Sequence, residues 1–147
     1  LTLIGSGPAE GWLRALAAQC GVAQAVEFAG RLPRQELIDT LGKYTACIYP
    51  SLHDSGGFTV LESLREGTPV VCLDLGGPGV MVNASCGFVV ATKGADEALV
   101  VSRIANAMIC VATMQDAEWT RLSRGAQTRA SEISWTSLTA FVAAGER

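Results

Sequence analysis

Tyr44 to Leu73 reads Y-T-A-C-I-Y-P-S-L-H-D-S-G-G-F-T-V-L-E-S-L-R-E-G-T-P-V-V-C-L. An apolar run, Tyr44–Tyr49, enters it, with a strand expected over Ala46–Tyr49. A turn of small and polar residues follows, and Thr59–Glu66 then carries apolar residues at helical spacing. Gly67-Thr68-Pro69 stops that helix and opens Val70–Leu73. The unbroken V-V-C-L is the pattern of a strand buried on both faces, the hallmark of a parallel sheet between helix layers.

The same alternation extends outward in both directions. Leu1–Ile4 reads as a strand closed by Gly5-Ser6-Gly7-Pro8. A helix is expected over Ala9–Cys20, with Leu13, Leu16, Ala17 and Cys20 on one face and Gly21 as its stop. Ala25–Ala29 is a second strand, ending at Gly30. Pro33 suits the first turn of a short helix through Leu41, where its missing N–H costs nothing. After Leu73, Gly76-Gly77-Pro78-Gly79 reads as a second glycine-rich turn and Gly87–Ala91 as a fifth strand. Helices are expected over Ala95–Met114, Ala117–Ile133 and Trp135–Ala143. Strands separated by helices indicate an α/β fold: a Rossmann-like three-layer α/β/α arrangement with a parallel sheet of five to six strands. Ligands bind outside the carboxyl ends of such strands, and each glycine-rich loop follows a strand. No repeat, linker or low-complexity stretch interrupts 1–147, which reads as one domain.

At 147 residues and 49% hydrophobic, the chain can bury one real core. A net charge of −3 and a sequence pI near 5.1 leave no basic surface for nucleic acid. The five cysteines, Cys20, Cys47, Cys72, Cys86 and Cys110, form no C-x-x-C and mostly sit in apolar runs. They read as reduced thiols in a cytosolic compartment, with neither disulfides nor a zinc site. No apolar run approaches the ~20 residues of a transmembrane helix. The first residues lack the charged region and long apolar core of a signal peptide. Beginning in a strand without an initiator Met, the chain reads as a piece of a longer protein.

The candidate chemistry converges on the turn. Gly56 and Gly57 allow tight backbone geometry, and the first helical residues, Phe58, Thr59 and Val60, have N–H groups without intrahelical acceptors. A diphosphate is a natural acceptor for such amides. Asp54 before the turn can accept from sugar hydroxyls, and Glu62, one helical turn in, from a ribose diol. The plainer alternatives are a capping or turn carboxylate for Asp54 and an exposed helix acid for Glu62. His53 is the only histidine, so neither a triad nor a His-based metal site can be assembled; it is either a substrate contact or an exposed loop residue. Ser51 and Ser55 have no other local base, which argues against nucleophilic catalysis. At Gly5 and Gly7 the dinucleotide fingerprint G-x-G-x-x-G fails because Glu10 stands where its third glycine would be.

These residues resemble a known family. Gly5-x-Gly7-Pro8, then V-E-F-A-G, then the run from Tyr49 to Val71, then L-G-G-P and a late I-S-W, are similar in order and spacing to the C-terminal domain of GT-B glycosyltransferases. The retaining family 4, or group 1, enzymes are the closest group. The resemblance covers nearly the whole chain, and its specific part is Pro50 to Val71. The family pattern Glu-x7-Glu is met with Asp54 in the first place and Glu62 in the second. By resemblance these are the two candidate catalytic acids, Asp54 holding the donor sugar and Glu62 the nucleotide ribose. Gly56 and Gly57, with the amides of Phe58 to Val60, would receive sugar and diphosphate oxygens. Gly5, Gly7, His53 and Ser55 would line the donor site, and Arg31, Leu32 and Pro33 would edge the nucleobase.

Gly56 stands where the family often has Phe, and Val80 near a position where it often has Glu. The family's Arg and Lys that clasp the diphosphate, and its N-terminal acceptor domain, lie upstream of this chain. The resemblance implies a nucleotide-diphosphate sugar as donor, no metal or other cofactor, and transfer with retention in the intact enzyme. It also implies that this half alone is inactive, and a cytoplasmic protein whose only link to a membrane is peripheral. Two other readings stay open: another GT-B enzyme such as a sugar-phosphate epimerase, and a non-catalytic nucleotide-sugar-binding module.

Overall fold

A computed structural model describes residues 1–54 and 56–133. Ser55, the expected helix over Trp135–Ala143 and the end of the I-S-W motif lie outside the described residues. Five strands form, β1 (Thr2–Ile4), β2 (Glu27–Gly30), β3 (Cys47–Tyr49), β4 (Val70–Leu73) and β5 (Gly87–Val90), and every pairing is parallel. Six helices accompany them: α1 (Glu10–Gln19), α2 (Arg34–Leu41), α3 (Phe58–Arg65), α4 (Gly76–Met81), α5 (Glu97–Ala112) and α6 (Asp116–Glu132). The fold is α/β, as the alternating pattern predicts. Its ladders are two, β1-β2 and β3-β4-β5, and the chain divides into two compact units, Leu1–Leu37 and one beginning at Ile38.

In the first unit β1 lies parallel to β2, Thr2 opposite Glu27 and Leu3 opposite Phe28, with an irregularity before Ile4 meets Gly30. Gly5 extends the ladder by donating to the Gly30 carbonyl at 2.7 Å. The Arg14 guanidinium lies 4.0 Å from the Phe28 ring centroid and also pairs with Glu10 at 2.8 Å. One side chain thus ties the first two turns of α1 to β2. The second strand starts later than its sequence pattern indicates, because Ala23–Ala25 closes into a 3-10 turn.

The second unit is a three-layer sandwich whose order can be read along β4. Val70 and Cys72 pack on one face with Val60 and Leu64 of α3 and Ala126 and Ala130 of α6. Val71 and Leu73 pack on the other with Val90 and Ala107, flanked by Val100 and Ile104 of α5. All four β4 residues are buried, which is what a continuous apolar run requires of a strand covered on both sides. Burying each such side chain favours folding by roughly 1.5–3 kcal/mol. Thr68, also buried, donates its hydroxyl to the Leu41 carbonyl at 2.7 Å, and Trp119 on α6 donates its indole N–H to the Thr45 carbonyl at 2.9 Å.

The segment expected as a second glycine turn is instead the one-and-a-half-turn helix α4. Tertiary contacts override its poor helix propensity: its start is tied to the loop after β3 and its end to α6, as described below. α5 is bounded by a true cap, Asp96 accepting from the Leu99 N–H at 2.8 Å. It begins two residues later than its apolar pattern for that reason.

Close approach demands glycine at 125, where an added Cβ would run into the Ser85 carbonyl oxygen. Gly11, inside α1, has open space around it. Gly125→Ala should therefore lower stability by about 1–3 kcal/mol through overpacking, whereas Gly11→Ala should raise it by about 0.5–1 kcal/mol through helix propensity. Urea unfolding of the two variants beside the parent chain checks both signs.

Candidate functional site

The corner between β3 and α3 is organised by the Asp54 carboxylate. Its Oδ1 accepts the Gly56 N–H at 2.8 Å and the Gly57 N–H at 2.9 Å, and its Oδ2 accepts the Tyr49 hydroxyl at 2.6 Å. Asp54 is therefore a turn carboxylate, closing a loop of the kind an Asp two residues before a Gly forms. Gly57 has φ +55°, the left-handed conformation glycine adopts without cost. From there α3 starts, the Leu61 N–H reaching the Gly57 carbonyl at 3.0 Å.

One expectation changes here. Gly56 and Gly57 were to offer their amides to sugar and diphosphate oxygens, but both amides are taken by Asp54. The helix-start amides of Phe58, Thr59 and Val60 remain without intrahelical acceptors. The Phe58 side chain beside them is 66% exposed, and Val60 is buried in the core. Asp54 retains capacity as well: a carboxylate offers about four lone-pair sites, and these three bonds leave room for one more donor on Oδ2.

The hydrogen bonds set the charge state of the corner. The Gly57 N–H, then the Tyr49 hydroxyl and the Gly56 N–H, hold the Asp54 carboxyl below the usual carboxylate range. In return the bond to Asp54, with burial second, pushes the Tyr49 phenol up to about 12.

A second loop braces the first. The Asp54 carbonyl accepts the Gly77 N–H at 2.9 Å. Gly76 (φ +57°) lies so close that an added Cβ would strike that carbonyl oxygen. A Cβ on Gly57 would meet the Met81 Sδ at 3.0 Å. At the neighbouring strand ends, Asp74 Oδ1 accepts both the Thr92 N–H at 2.8 Å and its hydroxyl at 2.6 Å. These bonds, the hydroxyl foremost, lower the Asp74 carboxyl. Tyr49, Met81 and Asp74 are not among the sequence candidates: Met81 and Asp74 act through partners distant in sequence, and Tyr49 through a hydroxyl bond to Asp54, five residues on, that an apolar strand pattern does not reveal.

The remaining candidates fall into two groups. His53 is exposed and Glu62 half-buried on α3, both in the same unit as Asp54. Gly5, Gly7, Arg31, Leu32 and Pro33 belong to the first unit, gathered after β1 and β2 by the Gly5–Gly30 bond. Pro33 supplies the carbonyl that accepts the first bond of α2, from Leu37 at 2.9 Å. Ser55 lies outside the described residues. Among the described residues no three His, Cys, Asp or Glu side chains gather into a metal site. None of the described helices is long and apolar enough to cross a membrane, although α5 and α6 together pass that test as a pair bent by 112°.

Residues 1–110 match the profile of the family described as glycosyl transferases group 1. The chain belongs to this family. Among its relatives is the D-inositol 3-phosphate glycosyltransferase of Acidothermus cellulolyticus, 48% identical over 65 residues, which are 44% of this chain and 14% of that protein. The glycogen synthase of Mycobacterium tuberculosis is 34% identical over 88 residues, 59% of this chain and 21% of that protein. The chain thus matches only between 14% and 28% of the length of such curated relatives. The crystal structure of the pneumococcal O-GlcNAc transferase GtfA, in complex with UDP and GlcNAc, superposes with a TM-score of 0.78 at 16% identity. It covers 88% of this chain and 25% of that one. That likeness is one of fold, the Rossmann-like α/β fold.

In this group 1 domain the corner has a defined pH response. The Asp54 carboxyl titrates lower folded than unfolded, so its hydrogen bonds add stability above the ordinary carboxylate range. That contribution is lost as pH falls through the folded value. Tyr49→Phe removes one donor and should move the Asp54 carboxyl upward while leaving it below the ordinary range, since the Gly57 amide remains. Carboxyl-carbon NMR titration of both proteins reads this directly; an unmoved Asp54 would show the hydroxyl bond to be absent in solution.

Proposed function

We propose that this chain is the donor-binding half of a retaining glycosyltransferase that takes its sugar from a nucleoside diphosphate. The observation that carries the reading is the Asp54-x7-Glu62 pair, set across a strand-to-helix corner inside the stretch that matches the group 1 family. Three groups divide the work. The amides of Phe58 to Val60, at the positive end of α3, receive the diphosphate and stabilise its charge as it departs. Glu62 accepts from the ribose diol. The remaining lone pair on Asp54 takes one hydroxyl of the sugar.

Asp54 thereby has two tasks, shaping the turn and touching the donor, and the first is the larger. The chemistry is proposed to run on positioning and charge stabilisation, with no metal and no covalent nucleophile. Arg31, Leu32 and Pro33 are proposed to edge the base. An acceptor domain outside this chain would complete the active site, so the chain alone binds and does not transfer. A cytoplasmic location, with membrane contact only from the surface and through the rest of the protein, fits this role.

Two experiments bear on the reading. Titrating the labelled chain with UDP-glucose and GDP-mannose should shift the backbone signals from Gly56 to Glu62. Flat signals there at millimolar ligand, with shifts elsewhere, would sink the site. Glu62→Ala in the intact enzyme should abolish most transfer while leaving the fold and Tm in place; near-normal turnover would make Glu62 a surface acid only.

A further inference from the structure

α4 is a helix that should not stand by itself. It has six residues, three of them glycine and one proline, and a helix so short lies far below the length at which helical bonding outweighs nucleation. Its start is held by the Gly77 N–H on the Asp54 carbonyl. Its end presents orphan carbonyls, and a side chain from another element covers two of them. Arg129 of α6 donates its Nε–H to the Met81 carbonyl at 2.8 Å and an Nη2–H to the Val80 carbonyl at 3.1 Å. Its third arm, Nη1, meets Glu132 at 3.0 Å. The planar guanidinium is thus fixed from both sides, with its charge at the negative end of α4.

From this geometry we infer that Arg129 is a positioning residue for the donor corner, acting through α4. The connection is physical at every step. The Arg129 side chain holds the Val80 and Met81 carbonyls, and Met81 Sδ then backs Gly57 closely enough that a Cβ there would lie only 3.0 Å away. At the opposite end of α4, Gly77 holds the backbone of Asp54. Moving the end of α4 outward therefore loosens both supports of the turn that aims the α3 amides. The interaction is unlike a surface ion pair: its acceptors are backbone carbonyls, that of Met81 in a partly buried setting.

The consequence for ligand binding rests on the function proposed above, so the test separates the two. Amide spectra of the 147-residue chain are recorded for the parent, Arg129→Met, Arg129→Lys and Thr128→Gly, with and without UDP. Thr128 is exposed on the same helix, so its variant weakens α6 without touching α4. Without ligand, Arg129→Met should displace the Gly57 and Gly77 amide signals and speed exchange of the Gly77 proton. Arg129→Lys, a point charge able to reach one carbonyl, should restore part of the parent position. With UDP, affinity should fall about tenfold in Arg129→Met and less in Arg129→Lys, and remain at the parent value in Thr128→Gly.

The inference is overturned if Gly57 and Gly77 move no further in the Arg129 variants than in Thr128→Gly, or if they move while UDP affinity stays at the parent value. Should Arg129→Met fail to fold, the Arg129→Lys spectra decide. Should the parent chain fail to bind UDP, the ligand-free shifts alone decide whether Arg129 holds the corner.

Discussion

Asp54 turns its carboxylate back onto its own chain, collecting two glycine amides and a tyrosine hydroxyl while its carbonyl collects a third amide from α4. Four donors from three segments meet on one residue. The left-handed step at Gly57, the direction of α3 and the seat of α4 follow from satisfying them. A neutral side chain of the same shape would accept more weakly, since hydrogen bonds to a charged partner are roughly twice as strong. The acid is therefore a structural requirement before it is a chemical one.

That arrangement also defines an electrostatic problem for any diphosphate arriving at α3. The same end of the helix already faces an ionised carboxylate, and each pair of like charges a few ångströms apart costs about 1 kcal/mol in water-like surroundings. The helix terminus attracts an anion, and Asp54 has consumed part of that attraction. Under the function proposed above, tight binding of a diphosphate at this corner calls for cationic groups beyond it.

Local pattern was sufficient for much of this. The buried V-V-C-L of β4 announced its own ends and its two covered faces, and the run over Thr59–Glu66 announced the helix that became α3. The place of Asp54 before a glycine turn left the turn-carboxylate alternative open, and that is the role it takes. What local pattern lacks is partners distant in sequence. Gly76-Gly77-Pro78-Gly79 has turn composition, and becomes α4 only because Asp54, well before it in the chain, and Arg129, 48 residues after Met81, hold its ends. Tyr49 reads as one more apolar strand residue until its hydroxyl is seen on Asp54. The separation of β1-β2 from β3-β4-β5 is likewise a matter of pairing, on which composition is silent.

The sheet that sets this corner has a chemical side effect. Burial pushes the Cys47 and Cys86 thiols up, and Cys72 up to about 11. At neutral pH these three hold almost no thiolate, the form that reacts. Cys20 and Cys110 are exposed, one in each unit. The molecule therefore carries two natural attachment points for thiol-directed probes, one in each unit, and needs no cysteine removed from its core to use them.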